Sequence, residues 1–297
     1  MQTKAGFKAL LIENNVEVCD RTIENILQSH SARLLLCVEF GDALALYMEV
    51  DRLPQTTTLE LLKEQCVFLG GILFQNTKTT IFNALSKGVP RMFKIPKTEA
   101  EVNHEAGVWE DLVSASVDLS HLVPLESILL KTTKQLESFV YDEVERQSIR
   151  FGLLMPKYAQ VLSAFAFKEV DVTTITNWMT QAIRALEQMH KASYVHCDVK
   201  PANLFLNETG VLFLGDYGAA VKEGTLFKEF SPAYMPSDSG NVPLRDVDYF
   251  CLALTALELT GTWTPGTTVN KAGIKHMVEV SLVGDLKEMI VANLNTN

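Results

Sequence analysis

The sequence lacks the long apolar runs and the paired cysteines that mark several large classes of protein. Its longest apolar run, Cys66 to Phe74, is far shorter than the ~18 residues that a membrane-spanning helix needs. We therefore expect no membrane segment, and no apolar leader with a small-residue cleavage site is recognisable. The five cysteines are an odd number and contain no CxxC pair, which favours free thiols in the reducing cytoplasm.

The sequence also lacks an excess of basic residues, an internal repeat and any low-complexity run. Its formal net charge is −10, which argues against a protein that grips nucleic-acid phosphates with a basic surface. Hydrophobic residues make up 47% of the 297 residues, enough to bury a large core, so wholesale disorder is excluded. This length fits two domains or one two-lobed unit.

Three stretches of the chain differ in their pattern. Residues 1–65 are expected to form an accessory segment of short helices and a hairpin. In the hairpin, a two-residue polar loop separates the β-rich runs Arg33–Phe40 and Ala43–Val50. Residues 66–155 are rich in strands, and residues 156–297 are rich in helices. The order of strands followed by helices predicts an α+β chain.

The middle stretch predicts an antiparallel meander followed by a helix. Its strands are Val67–Phe74, Thr80–Leu85 and Arg91–Ile95, and a helix follows over Thr98–Leu112. Two further β-like runs, around residues 122–130 and 149–155, flank a polar stretch. Beyond them, apolar residues at helical spacing predict a long helix over Thr173–His190.

Chemistry concentrates in two short segments after that long helix. One reads Tyr194-Val195-His196-Cys197-Asp198-Val199-Lys200-Pro201-Ala202-Asn203, and the other reads Leu214-Gly215-Asp216-Tyr217-Gly218. Carboxylate and amide oxygens of this kind are ligands that suit Mg²⁺ rather than zinc. A magnesium ion beside a lysine can stabilise charge on a phosphoryl group during transfer.

These segments resemble the catalytic loop H-R-D-x-K-x-x-N and the metal loop D-F-G of the protein kinase family. The resemblance implies that Asp198 accepts the proton of the substrate hydroxyl and that Lys200 neutralises charge on the transferred phosphate. Asn203 and Asp216 would hold Mg²⁺ or Mn²⁺. A lysine two positions after the aspartate is similar to serine/threonine kinases, so ATP and protein substrates are implied.

The resemblance also implies a two-lobed fold. Its N-lobe has an antiparallel sheet and one helix, and its C-lobe is mainly helical. In the N-lobe, Lys94 would hold the α- and β-phosphates and would pair with Glu105, with Glu101 one turn away as the alternative. Gly70 and Gly71 would cover the phosphates with backbone amides. Lys94 and the catalytic-loop and metal-loop residues are then expected to line one cleft.

Downstream, Ser231–Pro236 resembles the end of an activation segment, where a substrate peptide docks. An aspartate at the start of the following helix would tie down the backbone of the catalytic loop, and counting favours Asp248 over Asp246. The resemblance covers residues 66–297, with a C-terminal lobe that is trimmed or divergent.

The sequence departs from the family pattern at three places. The glycine loop keeps only Gly70 and Gly71, with Asn76 and Thr77 as substitute turn residues. Cys197 replaces the arginine that binds an activation-loop phosphate in many kinases. Asp238 replaces the displaced glutamate of the A-P-E motif. Two alternatives to a protein kinase therefore stay open: an inactive pseudokinase that works as a binding scaffold, and a small-molecule kinase on the same fold.

Overall fold

The computed structural model describes residues 36–37, 45–46, 67–86, 89–135, 144–165 and 168–295. By its internal contacts the chain divides into two units, one of Met1–Ala106 with Leu125–Lys157 and one of Gly107–Pro124 with Tyr158–Asn297. Of the N-terminal segment, the described part is β1 (Leu36–Cys37) paired antiparallel with β2 (Ala45–Leu46). This pairing agrees with the expected hairpin, and the rest of residues 1–65 lies outside the described residues.

A five-stranded antiparallel sheet forms the first unit. Its strands are β3 (Val67–Gln75), β4 (Thr79–Ser86), β5 (Val89–Pro96), β6 (Glu126–Gln135) and β7 (Val144–Pro156), in the order β3-β4-β5-β7-β6. The three-stranded meander is confirmed. The polar stretch between the last two predicted runs is itself partly strand, because Lys131 to Gln135 pair in register with Ser148 to Val144.

Close packing between β5 and β7 fixes the centre of this sheet. Phe93 is fully buried, and a Cβ atom on Gly152 would lie 2.5 Å from its ring. Glycine is therefore required at position 152 for β7 to lie this close to β5. The register opposite β7 places Lys94 next to Phe93, opposite Leu153.

The helix α1 (Glu99–Ser114) follows the central strands. It begins with a capping box, in which Thr98 Oγ1 accepts from the Glu101 amide and a Glu101 carboxylate oxygen accepts from the Thr98 amide. Val102, Ala106 and Leu112 are buried at helical spacing. The division into units falls within this helix, between Ala106 and Gly107.

Four longer helices build the second unit. They are α2 (Val172–Lys191), α3 (Arg245–Leu259), α4 (Lys271–Ser281) and α5 (Gly284–Leu294). Helices α2, α3 and α5 pack on one another, and α4 packs on α3 and α5. The predicted long helix is confirmed as α2, which is capped by Asp171 and buries the apolar face read from the sequence. Helix α4 was not predicted.

Short strands in the second unit frame the loops between the helices. Antiparallel pairs join β8 (Gln160–Val161) to β10 (Leu204–Leu206), β10 to β11 (Leu212–Leu214), and β9 (Tyr194–Val195) to β12 (Val221–Lys222). The predicted α+β class is confirmed. Within the part of the chain that the structure describes, no helix is both long and apolar enough to cross a membrane.

Candidate functional site

The segment that resembles a catalytic loop, called the catalytic loop below, runs from the end of β9 to the start of β10. Asp248 on α3 holds its backbone. Asp248 is fully buried and accepts hydrogen bonds from the backbone amides of His196 and Cys197, both at 2.9 Å. Its carboxylate also lies 2.8 Å from His190 Nε2 at the end of α2. The expectation that Asp248, and not Asp246, ties down this loop is confirmed.

His196 connects the catalytic loop to the metal loop. Its Nδ1 atom accepts from the Asp198 amide at 3.3 Å, so its Nε2 atom carries the proton and donates to the Gly215 carbonyl at 3.2 Å. The Gly215 amide in turn donates to the Asn203 carbonyl at 3.0 Å. A Cβ atom on Gly215 would lie 2.6 Å from the Val123 side chain, so glycine is needed here. The two predicted segments are therefore brought together.

Asp198, Lys200 and Asn203 form one hydrogen-bonded cluster. Lys200 Nζ lies 2.6 Å from Asp198 Oδ2, and Asn203 Nδ2 donates to the same oxygen at 3.0 Å and to the Asp198 carbonyl at 2.8 Å. Lys200 Nζ also donates to Ser231 Oγ at 2.6 Å. The lysine thus links the expected catalytic aspartate to the expected substrate-docking segment.

The second carboxylate oxygen of Asp198 lacks the hydrogen bonds that the first one accepts. Oδ1 is buried and has no hydrogen-bond partner among the described residues. A buried carboxylate oxygen without a donor is costly, because it has lost water without gaining a hydrogen bond. This oxygen can therefore accept a hydrogen bond from a donor that enters the site.

The metal loop turns sharply at Asp216, whose backbone is left-handed at φ 65°. Tyr217 follows it into the core, where its hydroxyl donates to the Val123 carbonyl at 2.8 Å. The Tyr217 ring stacks on Trp109 at 6.2 Å and meets the edge of His196 at 6.2 Å. Burial of Tyr217 therefore fixes the loop that carries Asp216.

The donors Asn203 and Asp216 fit a hard divalent cation. The Asn203 amide nitrogen is used in hydrogen bonds to Asp198, which leaves its carbonyl oxygen as the atom for a metal. Asp216 adds a carboxylate, and oxygen ligands of these two kinds are preferred by Mg²⁺ and Mn²⁺.

In the first unit, Lys94 pairs with Glu105. Lys94 Nζ lies 2.9 Å from Oε1 and 2.7 Å from Oε2 of Glu105, and both side chains are buried. Glu101, the alternative partner, is instead used in the capping box of α1. Breaking a buried pair of this kind costs about 3–5 kcal/mol because one charge is left uncompensated.

Gly70 and Gly71 lie within β3, and the pairing with β4 is irregular between Leu69 and Ile72. Such an irregularity is typical of a β-bulge. The turn that follows is built by Asn76, whose side-chain oxygen accepts from the Lys78 and Thr79 amides, both at 2.8 Å. Asn76 therefore supplies the turn, as the sequence indicated.

Cys197 is buried among apolar side chains rather than exposed beside the segment that follows the metal loop. It packs with Val195, Ala219 and Val221, and burial raises the pKa of its thiol.

Asp238 accepts a hydrogen bond from the Lys271 amide at the start of α4. That contact stabilises a helix N-terminus, which is a local role for this acid.

Three contacts that support the site were not predicted from the sequence: Trp109 with Tyr217, His190 with Asp248, and Ser231 with Lys200. Each joins residues that lie far apart along the chain. The helical spacing of Trp109 placed it on an apolar face, and nothing in the sequence indicated the partners of the three residues.

Comparison with known proteins gives one family and several relatives. The protein kinase domain family matches residues 72–285. The serine/threonine-protein kinase ArnS of Sulfolobus acidocaldarius is 30% identical over 37% of this chain and 19% of its own length. Mitogen-activated protein kinase kinase kinase 17 of Arabidopsis thaliana is 28% identical over 56% of this chain and 49% of its own length. Mitogen-activated protein kinase kinase 10 of the same plant is 21% identical over 61% of this chain and 54% of its own length. The chain thus spans about half or less of these relatives.

Proposed function

Since the chain belongs to the protein kinase family, we propose that it transfers the γ-phosphoryl group of ATP to serine and threonine hydroxyls of protein substrates. The observation that carries this proposal is the cluster of Asp198, Lys200 and Asn203, whose remaining buried oxygen, Asp198 Oδ1, has no donor among the described residues. We further propose that residues 66–155 and 156–297 act as the N-lobe and C-lobe.

Each side chain of the cluster has a separate task in this reaction. Asp198 orients the acceptor hydroxyl and takes its proton, while Asn203 holds the carboxylate in place through its amide. Lys200 is positioned to neutralise charge on the phosphoryl group as it moves. When bound at Asn203 and Asp216, Mg²⁺ or Mn²⁺ would supply further positive charge to the phosphate oxygens.

Lys94 has its task in nucleotide binding. Glu105 holds its ammonium group by two short contacts, so the lysine is oriented before ATP arrives. We propose that Lys94 contacts the α- and β-phosphates and that the backbone at Gly70 and Gly71 covers them.

A phosphate-transfer assay tests this function. The purified chain is incubated with γ-labelled ATP, Mg²⁺ or Mn²⁺ and generic acceptors such as casein, followed by phosphoamino-acid analysis. We expect labelled serine and threonine, and a loss of about 10²-fold or more in Asp198→Asn, which keeps the shape but not the base. Glu208→Gln, at an exposed acid between β10 and β11, is the matched control and should transfer normally.

A binding scaffold without activity is the second candidate, because Gly70 and Gly71 are part of a strand and do not form a full glycine loop. A thermal-shift titration separates the two. A ligand at about 100 times its Kd stabilises a protein by about 2.7 kcal/mol. No shift at millimolar ATP with either metal, together with no transfer, would favour the scaffold.

A further inference from the structure

A large cavity of the second unit is lined mostly by charged side chains. Its volume is about 1080 Å³, at the upper end of the range for ligand-binding cavities. Helices α2, α3, α4 and α5 all contribute side chains to its wall. None of the described residues that line it belongs to the catalytic loop or to the metal loop. The cavity is therefore separate from the candidate site described above.

Two polar groups of this cavity have no hydrogen-bond partner among the described residues. Asp246 uses Oδ2 for Lys271 Nζ at 2.6 Å, while its buried Oδ1 has no donor. Tyr249, one turn further along α3, is only 9% exposed and lines the cavity, and its hydroxyl bonds to no described residue. Burial and the carboxylates of Glu187 and Asp248 raise the pKa of Tyr249 to about 12, so this hydroxyl stays protonated and can donate.

Most charged groups of the lining already have a partner. Three basic groups are each bound to an acid: Arg245 to Glu223, Lys271 to Asp246, and His190 to Asp248. Asp238 accepts from the Lys271 amide. Glu187 is exposed, so water and salt screen its charge. These groups therefore contribute little net charge to the cavity.

Lys191 on α2 and Lys275 on α4 differ from the other basic groups. Each donates to a side-chain amide oxygen, at 3.4 Å and 3.0 Å, and neither has a carboxylate partner among the described residues. Lys275 shares the Phe250 ring with Lys271, their Nζ atoms lying 5.9 and 5.4 Å from its centroid. Two ammonium groups one helical turn apart repel each other, so the cavity favours an acid beside Lys275.

Apolar side chains adjoin these charges. Leu244 lines the cavity and is 56% exposed, and Val242, two residues earlier, is 39% exposed. An apolar group of a ligand would be removed from water by packing on them. The cavity and its edge therefore combine free positive charge, a free hydroxyl donor and apolar surface.

We propose that this cavity binds an acidic peptide segment of a partner protein. Its carboxylates pair with Lys191 and Lys275, and a backbone carbonyl accepts from the Tyr249 hydroxyl. An apolar side chain of the segment packs on Leu244. A backbone N–H donates to Asp246 Oδ1 after a small rotation of that side chain.

Other ligands fit the lining less well. A simple anion brings neither an N–H donor nor an apolar group, and it fills little of a cavity of this size. A basic peptide would place its charges against Lys191 and Lys275. The inference goes beyond the proposed function and does not depend on it, because binding requires neither ATP nor transfer.

A library of short random peptides tests the preference without an assumption about the partner. The full chain is immobilised without nucleotide, incubated with the library and washed, and the retained peptides are sequenced. We expect aspartate and glutamate to be enriched about threefold or more at more than one position, with lysine and arginine depleted.

Variants then test the site. The most enriched peptide is labelled with fluorescein and titrated by fluorescence anisotropy. The double variant Lys191→Gln, Lys275→Gln should bind about tenfold or more weakly. The matched control Lys157→Gln, Lys168→Gln loses the same charge at exposed lysines outside the cavity lining and should bind like the wild type. Tyr249→Phe keeps the ring and loses the hydroxyl, so its affinity should fall about fivefold.

Location is measured on the wild type as well, so that the result holds even if a variant does not fold. The same peptide carrying a benzophenone is photo-cross-linked to the full chain, and the cross-link is mapped by mass spectrometry. We expect it on α2, α3, α4, α5 or the segment before α3.

Each of four results would overturn the inference. A retained pool with no preference, or one rich in lysine and arginine, contradicts the acidic ligand. Undiminished binding by the double lysine variant, or cross-links elsewhere on the wild type, contradicts the site. Displacement of the peptide by inorganic phosphate or citrate at the peptide's own Kd would show a site for small anions instead. The phosphate-transfer assay is separate, so a failure of transfer and a failure of peptide binding are told apart.

Discussion

Replacing Asp248 by asparagine should loosen the catalytic loop without removing any residue of the cluster. Asparagine has nearly the same shape, but one of its two polar atoms donates rather than accepts. In the wild type, Oδ1 accepts from the Cys197 amide and Oδ2 accepts from the His196 amide. Whichever way the new amide is turned, one buried backbone N–H faces another donor.

The magnitude can be worked from these contacts. One unsatisfied buried N–H costs about 1–3 kcal/mol, and hydrogen bonds to a charged acceptor are worth about 1.5–3 kcal/mol against about 1 for neutral ones. Asp248→Asn should therefore lose about 3 kcal/mol of unfolding free energy. Asp246→Asn, two residues earlier on α3, is the control. Its ion pair with Lys271 is partly exposed, so the loss should be below about 1 kcal/mol.

Urea unfolding followed by far-UV circular dichroism measures both variants, and casein transfer is measured in parallel. We expect Asp248→Asn to lose transfer at temperatures where it is still folded, because His196 and Cys197 position the backbone before Asp198. Equal losses of stability in the two variants, or a loss below 1 kcal/mol in Asp248→Asn, would refute the reasoning.

Two further expectations concern the core around the site. Burial raises the pKa of Glu258, against a smaller opposing effect of the Tyr234 hydrogen bond, so the folded protein binds this proton more tightly than the unfolded chain. The stability of the wild type relative to Glu258→Gln should therefore fall as the pH rises above about 4.3. Thermal melts of both proteins at several pH values measure this, and a difference in Tm that does not change with pH would contradict it. Gly215→Ala should lower the free energy of unfolding by at least about 1–3 kcal/mol, because the new Cβ atom would overlap the Val123 side chain. Gly210→Ala meets no atom, so only left-handed backbone strain of about 1–2 kcal/mol is expected there. Chemical denaturation of the two variants measures both losses.

The sequence predicts the elements of this chain well where apolar residues recur at a clear period. Helix α2 buries a continuous apolar stripe, and β5 buries an unbroken run from Met92 to Pro96. Helix α4 was missed because only Ile274 and Val278 are buried on it, too few to show a period. The N-terminal cap of this helix offered a signal in the sequence, because asparagine is a preferred N-cap residue. In the structure Asn270 accepts a hydrogen bond from the Gly273 amide.

The residues of the candidate site were likewise only partly predictable from the sequence. Asp198, Asn203 and Asp216 could be identified because their spacing along the chain carries the pattern. The choice between Glu101 and Glu105, or between Asp246 and Asp248, depends on which side chain faces inward, and two acids a few residues apart give nearly the same pattern. The contact of Lys200 with Ser231 depends on the path of the whole intervening segment, which no local pattern determines.

Cys197 anchors the segment after the metal loop through apolar contacts, which are insensitive to ionic strength. Val195, Cys197, Ala219 and Val221 form an apolar seam between β9 and β12, and burial of such a seam is not weakened by screening. The same segment is also held by exposed ion pairs, Lys222 with Asp111 and Arg245 with Glu223. Salt weakens exposed pairs but leaves apolar contacts intact. In concentrated salt the two exposed ion pairs of this segment would weaken, while its apolar contacts at Cys197 would persist.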